Sequence, residues 1–513
     1  MGISVFEIIG PIMIGPSSSH TAGMARIGMM THRIVGGKPA AIHLDLSPMM
    51  RTTYSGHRTD AALFGGAIGL NESDPGIRRA IALAHEQGVE TSVGFLPEGT
   101  YPQNTALLTV TCDDGRITKV LGTSIGGGSI VISAVDGVSM DISADAYHLI
   151  VWSGAPLPAA LTEGAGVQSG ANEAGAVTCL TYADRPSEDT QRALKQAAGV
   201  RRISLVEPVL PYGVTRSTEK TYASCAEICQ AARDGGKTLA EVAVDYETAR
   251  SGHSRESVRA QMHKHLDQIK QSVLEGEKGN QMLYGLTSGH DGPRMLQAIR
   301  DGKTISGGIV PQAVARALGV MEYNGAMGCI VAAPTAGSSG IVPGSMTTVQ
   351  EHFSFSDEEM VDALFVAALM GVVMANRQVS FSGSVGGCQA EVGVSSAITA
   401  AGLTSLFTKD PDAVLHAMAM CLKNLLGLVC DPIAGPIEVP CIKRNAVGVA
   451  NAFASADMAL AGIRSYIPPD EVIDALADVE RRLPQELKCA TVGGLACTAT
   501  GCRLREELKK QVK

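Results

Sequence analysis

The sequence predicts a multidomain α+β protein with a mixed N-terminal half and a mostly all-α C-terminal half. Its 513 residues suffice for roughly two to four domains, and 45% hydrophobic with 18% charged residues is typical of a globular protein with a large core. Strand-like alternation of apolar and polar residues is confined to about the first 210 residues, and helical periodicity replaces it afterwards. These observations predict that sheets and helices occupy separate parts of the chain.

The first predicted unit is an α/β domain over residues 1–145. Strand-like alternation occurs at Ala41–Leu46 and Ala106–Thr111, and helical stretches occur at Met24–Val35 and Ile77–Gln87. Because both patterns alternate along this segment, we expect helices packed on a sheet.

A second, smaller unit is predicted over residues 146–210. Strands are expected at 148–152, 175–181 and 203–209, with a helix at 187–197. This order resembles the ACT module, a compact βαββαβ unit that binds amino acids. The Gly-rich segment Ser153–Gly170 occupies the place of its first helix, and Pro208 and Pro211 mark its end.

The third predicted unit, residues 211–513, is helical. Acidic first turns at Ser356–Glu359 and Pro468–Glu471 indicate helix starts, since carboxylates complement the helix dipole there. The apolar helices 357–376 and 446–463 have few polar breaks and are expected to be central. The other predicted helices are 223–234, 238–248, 255–277, 410–426 and 470–482.

Composition restricts the partners and the compartment. A net charge of −9 does not fit a broad nucleic-acid surface, and the N-terminus lacks the basic region of a secretion signal. The apolar stretch Ala363–Ala375 is too short to span a bilayer. Twelve cysteines in so long a chain are too dilute for a disulfide scaffold. We therefore expect a cytoplasmic protein with a small-molecule partner, no nucleic acid and no membrane.

Three cysteines stand in glycine- or proline-rich turns: Cys388 after Gly386-Gly387, Cys430 before Asp431-Pro432, and Cys441 after Pro440. Their spacing matches neither a ferredoxin run nor a paired zinc knuckle. Glycine permits close backbone approach to a bulky group, and proline stiffens a turn. The residues alone leave two alternatives, core packing of free cysteines and a metal or cluster site.

Two polar turns near the N-terminus are candidates for substrate binding and catalysis. Ser17, Ser18, Ser19, His20 and Thr21 precede a helix, where hydroxyls and free N–H groups favour an anion such as a carboxylate. The turn Tyr54–Asp60 carries His57, Thr59 and Asp60, and an imidazole with a pKa near neutrality can act as a general base. Each single residue also fits an ordinary structural role, as a helix cap or a buried histidine.

Two further glycine-rich runs have different interpretations. Ser124–Ser129 lacks the Lys-Ser/Thr of a P-loop and the spacing of a dinucleotide fingerprint, so no nucleotide is predicted. Ala333–Gly344 is a polar turn in the helical half and is a candidate second wall of the site.

Taken together, these motifs resemble those of the bacterial iron-sulfur-dependent L-serine dehydratases, also called L-serine ammonia-lyases. Ile14–Thr21 and Gly56–Asp60 are similar to the β-domain motifs of that family. Ala333–Gly344, Gly387–Gly393, Cys430–Pro432 and Pro440–Asn445 are similar to its α-domain motifs. The resemblance covers nearly the whole chain and implies fused β and α parts with the ACT-like unit between them.

The resemblance also implies a cofactor and residue roles. It implies a [4Fe-4S] cluster held by Cys388, Cys430 and Cys441, with one iron left for the substrate, and no pyridoxal phosphate. It implies an N-terminal domain similar to the allosteric substrate-binding domain of phosphoglycerate dehydrogenase, and a homodimer. The expected base is His57, with His20 as the second choice. The residues expected to bind the substrate are Ser17, Ser18, Ser19, Thr21, Thr59, Asp60 and Asn104.

One departure from the family pattern leaves the substrate open. The family usually carries histidine where this chain has Pro102, although Asn104 is present. Serine is the first expectation, and threonine, cysteine or another β-substituted amino acid is the alternative. A non-catalytic iron-sulfur amino-acid sensor is the third hypothesis, which the presence of His20 and His57 disfavours. Cys225 and Cys229 are expected to be structural. Cys489, Cys497 and Cys502 could approach the site, but packing in the helical core is the first expectation for them.

Overall fold

The computed structural model describes residues 2–51, 53–99, 101–102, 104–210, 222–489 and 491–511. Two compact units divide the chain. One consists of Ser19–Arg216, and the other consists of Met1–Ser18 together with Ser217–Lys513. We call them the sheet unit and the helical unit. The predicted boundaries at 145 and 210 remain predictions, and Pro211, used to place the second, lies outside the described residues.

The first part of the sheet unit is a six-stranded sheet. The pair Pro39–Leu46 and Glu90–Phe95 is parallel, and the other neighbours are antiparallel. Alternate residues of the strands face the core, as the sequence pattern predicts. The strands in spatial order are Glu90–Phe95, Pro39–Leu46, Thr105–Cys112, Ile117–Gly126, Ser129–Val135 and Val138–Ser143.

Helices Gly23–Val35 and Thr59–Ala67 pack against each other beside this sheet. Gly28 and Gly66 lie at their crossing, where an added Cβ would collide with the backbone of the other helix. Glycine is therefore required for this close approach. The helix predicted at 77–87 is instead a 3-10 turn, Pro75–Arg79, followed by the α-helix Ala80–Glu86.

The second part of the sheet unit is a four-stranded antiparallel sheet. Its strands in spatial order are Val200–Val206, Tyr147–Ser153, Gly175–Tyr182 and Gly166–Asn172. Leu149, Val151 and Leu180 pack with Leu194 of helix Glu188–Gln196 in a common core. A 3-10 turn, Ala159–Leu161, stands where a βαββαβ unit has its first helix. The last strand ends before Pro208, three residues earlier than predicted, because proline has no N–H for the ladder.

The helical unit confirms the predicted change from strands to helices. From residue 222 onward, the described part of the chain contains one strand, Cys329–Val331, which pairs with Ile12–Ile14. Its α-helices are Val5–Ile8, Cys225–Gly235, Leu239–Ser251, Arg255–Gly276, Asp291–Arg300, Val310–Gly325, Ile341–Phe353, Asp357–Asn376, Gly383–Gly386, Val394–Phe407, Pro411–Lys423, Cys441–Leu460, Pro469–Arg482 and Ala499–Gln511.

The two helices expected to be central differ in burial. Asp357–Asn376 is buried along nearly all of its length after the first turn. Cys441–Leu460 buries one face only, and Val447 on the other face is 56% exposed, so the prediction of a central helix is wrong here. The segment Gln389–Phe407 is long and apolar enough to cross a membrane, but 78% of it is buried inside the protein. It therefore has the properties of a core helix.

Polar contacts fix the N-terminal segment to the helical unit. The Tyr246 hydroxyl donates to the carbonyl of Ile3 at 2.7 Å. The Glu247 carboxylate accepts bonds from the Ser4 hydroxyl and the Val5 N–H, both at 3.0 Å, and pairs with Arg250 at 2.6 Å. Glu247 is fully buried. This buried network explains why residues 1–18 join a unit whose other residues begin at 217.

Candidate active site and metal centre

Cys388 and Cys430 lie together in the helical unit. One ligand atom from each of Cys388, Glu391 and Cys430 lies within 4.8 Å of the other two. Both cysteines are 3% exposed. Cys388 follows the short helix Gly383–Gly386, and the left-handed φ of 74° at Gly387 turns the chain toward it. Two of the three predicted ligands thus share a buried pocket with a carboxylate.

Cys430 also contacts the segment that contains Cys489. Its N–H donates to the carbonyl of Leu487 at 2.8 Å, and the Cys489 N–H donates to the carbonyl of Cys430 at 2.7 Å. Hydrogen bonds with the thiols of Cys388 and Cys489, together with burial, raise the pKa of Cys430. Cys489 was expected to pack in the core, but it lies beside a candidate ligand.

Cys441, the third predicted ligand, is the first residue of helix Cys441–Leu460 and is 9% exposed. Its sulfur does not belong to the close group of Cys388, Glu391 and Cys430. Burial raises the pKa of the Cys441 thiol, and the negative charges of Cys388 and Glu391 raise it further. The Cys441 thiol is therefore within electrostatic range of Cys388 and Glu391, although the three sulfurs do not form one tight group.

Glu391 lies within the Gly387–Gly393 motif, but no role was predicted for its side chain. Its carboxylate accepts a 2.8 Å hydrogen bond from the Thr335 hydroxyl. A Cβ at Gly383 would collide with this carboxylate and would lie 3.1 Å from the Cys430 sulfur. Burial raises the pKa of Glu391 to about 7, against the lowering influence of Thr335 and Arg444.

Arg444 connects Cys388 with the loop around Cys430. Its guanidinium contacts the Cys388 sulfur at 3.4 Å, donates to the carbonyl of Val429 at 2.7 Å and pairs with Asp431 at 2.8 Å. The second oxygen of Asp431 accepts the Leu495 N–H at 2.8 Å. Burial acts to lower the pKa of Arg444, but Cys388 and Asp431 outweigh it, so that pKa is raised. The guanidinium thus connects the segment that contains Cys388 with the loop that contains Cys430.

The polar run Ala333–Gly344 packs beside this centre. Besides the bond from Thr335 to Glu391, the Asn445 side chain bonds to the carbonyl of Gly337 and the N–H of Gly340 at 3.0 and 3.1 Å. The Asn324 side chain donates to the carbonyls of Pro16 and Ala336 at 3.2 and 3.0 Å. The start of the N-terminal polar turn is therefore fixed to the same part of the helical unit.

These residues fit a thiolate-ligated metal centre. Thiolates are ligands for iron, zinc and iron-sulfur clusters, and a cation stabilises the charged form that burial disfavours. The space that a Cβ at Gly383 would fill borders both the Cys430 sulfur and the Glu391 carboxylate. The donor set of Cys388, Glu391 and Cys430 therefore suits a buried metal centre.

In the sheet unit, His20 and His57 stack with ring centroids 4.4 Å apart. The Thr21 hydroxyl donates to the carbonyl of His57 at 2.8 Å, and the Thr59 hydroxyl donates to the carbonyl of His20 at 2.9 Å. These reciprocal bonds hold the two turns against each other. Burial lowers the pKa of His20 to about 4, so its ring is neutral and a weak base at neutral pH.

The other residues predicted to bind substrate are buried or half-buried. Ser17, Ser18 and Ser19 are each less than 9% exposed, and the division between the two units falls between Ser18 and Ser19. Asp60 accepts the Ala61 N–H at 2.8 Å, and burial raises its pKa. Asn104 is 6% exposed with a left-handed φ of 63°.

The polar turn and the Cys388 segment share a local geometry. Ser18–Ala22 and Gln389–Gly393 are single turns of π-helix, and each continues directly into an α-helix. A π-turn inserts an extra residue into a helix and is common at functional sites. Sequence periodicity does not detect such a turn.

The remaining cysteines lie elsewhere. Cys225 and Cys229 are buried on one helix, as expected for structural residues. Cys497 is exposed and Cys502 is half-buried. The run Ser124–Ser129 covers the end of strand Ile117–Gly126, a short turn and the first residue of strand Ser129–Val135. The Arg26 guanidinium donates to the carbonyl of Gly128 in this turn at 2.7 Å.

Comparison with known families adds an independent observation. The sequence model of a family described as serine dehydratase alpha chain matches residues 234–496, which is more than half of the chain. The chain belongs to the serine dehydratase family. The matched segment contains Cys388, Cys430 and Cys441, so every predicted cluster ligand lies within the family region.

Named relatives align either with part of this chain or with nearly its whole length. A probable L-serine dehydratase alpha chain from Bacillus subtilis is 42% identical over 282 residues, 55% of this chain and 93% of the relative. A probable L-serine dehydratase beta chain from the same organism is 39% identical over 150 residues, 29% of this chain and 67% of the relative. An L-serine dehydratase from Haemophilus influenzae is 24% identical over 96% of this chain and 98% of its own. Alignment to a single polypeptide along nearly its full length agrees with the predicted fusion of β and α parts.

Proposed function

We propose that this chain is a lyase that converts L-serine to pyruvate and ammonia. The observation that carries the proposal is the buried Cys388–Cys430 pair, which lies inside a segment matched by the serine dehydratase alpha-chain family. One relative, named as a probable L-serine dehydratase alpha chain, aligns with 55% of this chain, and another, named L-serine dehydratase, aligns with 96% of it. Family membership and the thiol centre thus support the same activity.

The proposed cofactor is a [4Fe-4S] cluster held by Cys388, Cys430 and Cys441. When bound, such a cluster supplies a Lewis acid that assists departure of the β-hydroxyl, which is otherwise a poor leaving group. Arg444 and the backbone bonds of Cys430 position two of the ligand segments. The Thr335 hydroxyl orients the Glu391 carboxylate beside the sulfurs.

The residues of the chain would perform the proton transfers. His57 takes the α-proton, and hydroxide leaves the β-carbon, which gives aminoacrylate. Aminoacrylate tautomerises to an imine, and water hydrolyses the imine to pyruvate and ammonia. The low pKa of His20 makes it the weaker base, so its stacked ring is better suited to orienting His57. Ser17, Ser18, Ser19 and Thr21 would hold the substrate carboxylate. Thr59, Asp60 and Asn104 would orient the base or bind the ammonium group.

Finer assignments belong to the same proposal. The four-stranded sheet with helix Glu188–Gln196 supports an ACT-like unit, although a 3-10 turn replaces its first helix. The six-stranded sheet is proposed to be similar to the allosteric substrate-binding domain of phosphoglycerate dehydrogenase. A cytoplasmic homodimer is proposed on the family resemblance alone.

Anaerobic purification followed by a pyruvate assay with L-serine tests the activity. Iron and acid-labile sulfide are measured on the same sample. Cys388→Ala, Cys430→Ala and Cys441→Ala should each lose iron and turnover, whereas Cys497→Ala, at an exposed thiol, should retain both. Turnover of L-serine by iron-free protein would contradict the cluster. A rate with L-threonine or L-cysteine far above the rate with L-serine would contradict the substrate.

A further inference from the structure

A large cavity lies within the sheet unit, between the six-stranded and the four-stranded sheets. Its volume is about 840 Å³, a size typical of small-molecule sites. One wall comes from the strand Ile117–Gly126 and the turn before it. The other comes from Trp152, the turn around Glu173 and the start of strand Val200–Val206. The proposed dehydratase chemistry uses none of the residues that line this cavity.

Four cationic side chains line the cavity: Arg116, Lys119, Arg201 and Arg202. Arg201 donates to the backbone carbonyls of Ser153 and Ala174, which fixes its guanidinium at the wall without neutralising it. A Cβ at Gly175 would collide with this guanidinium, so glycine at that position leaves room for it. Backbone contacts thus hold one of the four cations in place.

Arg202 stacks on the indole of Trp152, with its Cζ 3.3 Å from the ring centroid. Its Nη1 donates to the Thr118 hydroxyl at 3.1 Å, and in the described part of the chain it forms no salt bridge. A guanidinium has five N–H donors, so several remain available to a ligand. Burial, followed by the nearby Arg116 cation, lowers the pKa of Arg202 to about 10. A bound anion would oppose both effects, because it stabilises the charged guanidinium.

Three carboxylates, Asp114, Asp136 and Glu173, also line the cavity, so its four cationic side chains exceed its acidic ones by one. The charges of Asp136 and Asp114 partly offset the unfavourable burial of Arg202. Both oxygens of Asp136 already accept hydrogen bonds at 2.7 Å, from the Lys119 N–H and from the Trp152 indole N–H. Asp114 has a 63% exposed side chain and lies 3.7 Å from the Arg116 Nε. Glu173 is exposed. Among the described residues Arg201, Arg202 and Lys119 form no salt bridge, so their N–H donors remain available to a ligand in a lining that keeps a net positive charge.

We propose that this cavity binds a small organic dianion, held by the Arg201 and Arg202 guanidinium groups and the Lys119 ammonium. Phosphate monoesters and dicarboxylates share this chemistry, since both present several oxygen acceptors to guanidinium donors. The apolar face of Trp152 gives the carbon skeleton a surface to pack on.

Trp152 lines the cavity and is the single tryptophan of the chain, so the intrinsic fluorescence reports on ligand binding there. Intrinsic fluorescence is titrated with glycerol phosphate and with succinate, against sodium chloride at matched ionic strength and against L-serine as a zwitterion. A saturable change with either dianion, absent with chloride, is the expected result. Tighter binding of glycerol phosphate would indicate a phosphate monoester as the ligand, and tighter binding of succinate would indicate a dicarboxylate.

Variants then connect binding with the named side chains. Lys119→Ala leaves Trp152 and the backbone bond to Asp136 in place, and it should weaken dianion binding about tenfold, the loss expected for one charge-assisted hydrogen bond. Arg202→Gln, followed by calorimetry because it changes the environment of Trp152, should weaken binding by about tenfold or more. Arg192→Ala, at an exposed arginine paired with Asp189, should bind normally.

Three results would overturn the proposal. The first is a fluorescence change that follows ionic strength alone. The second is unchanged dianion affinity in Lys119→Ala and Arg202→Gln. The third is saturable binding of L-serine without binding of either dianion, which would assign the cavity to a zwitterion. Because the readout is binding at Trp152, none of these results depends on dehydratase activity.

Discussion

Replacing Arg444 with methionine should destabilise the helical unit by about 3 kcal/mol. The side chain of Asp431 is 4% exposed and that of Arg444 is 17% exposed, so their 2.8 Å pair is largely shielded from water. Removing one partner of a buried ion pair costs about 3–5 kcal/mol, because the other charge stays buried. The lower end applies here, since Arg444 is partly exposed and the Leu495 N–H still donates to Asp431.

Urea unfolding followed by far-UV circular dichroism measures this loss. A double-mutant cycle with Asp431→Asn isolates the pair, and we expect a coupling of about 2 kcal/mol. Arg503→Met is the matched control, because Arg503 and Glu507 form an exposed pair, which typically contributes less than about 1 kcal/mol. A coupling below about 0.5 kcal/mol would refute the view that Arg444 and Asp431 hold the ligand segments together. Arg444→Met should also contain less iron than the Arg503→Met control.

Two further predictions concern the metal centre and pH. Gly383→Ala should lower the amount of bound iron without unfolding the protein, because the added Cβ would collide with the Glu391 carboxylate. Gly307→Ala is the control and should bind iron normally, since nothing lies within 4 Å of a Cβ at that position. Equal iron contents in the two variants would contradict this prediction. Burial lowers the pKa of His265 from its usual 6.5 to about 4. The unfolded chain therefore binds a proton that the folded chain excludes, and stability should fall as the pH drops from 6.5 toward 4, by at most about 1.4 kcal/mol per pH unit. His265→Gln should reduce this slope in urea titrations. Parallel slopes in wild type and His265→Gln would exclude His265 as the source.

Local sequence signals predicted individual elements well. Helix Asp357–Asn376 has the predicted bounds, because Ser356 and Glu359 form a capping box at its start. Strands 148–152 and 175–181 were predicted to within one residue at each end, since their apolar residues are concentrated where the structure has Tyr147–Ser153 and Gly175–Tyr182. In each case the information lies within a few residues of the element itself.

Long-range contacts were not predictable in this way. Nothing in Ile12–Ile14 indicates pairing with Cys329–Val331, because each is only three residues long and the partner is distant in sequence. The three cysteines were recognised from their turns, but Glu391, Arg444 and Cys489 were not assigned to the site. The placement of Glu391 and Arg444 depends on which way a π-turn and a helix start direct the side chains. Cys489 reaches the site through a backbone bond to Cys430, a contact between segments distant in sequence. The Gln389–Gly393 turn shifts the helical register, and periodicity cannot report such a shift.

The pairing of Ile12–Ile14 with Cys329–Val331 has a consequence for biogenesis. The ribosome synthesises Met1–Ser18 first, yet their partners in the helical unit follow only after all of Ser19–Arg216. During translation the sheet unit is complete and able to fold while the N-terminal strand and the residues that surround Glu247 are still unpartnered. Contacts of such long sequence separation form slowly. The apolar segment Val5–Ile14 therefore stays without its native partners until the C-terminal half emerges, and exposed apolar segments of this kind are prone to aggregation.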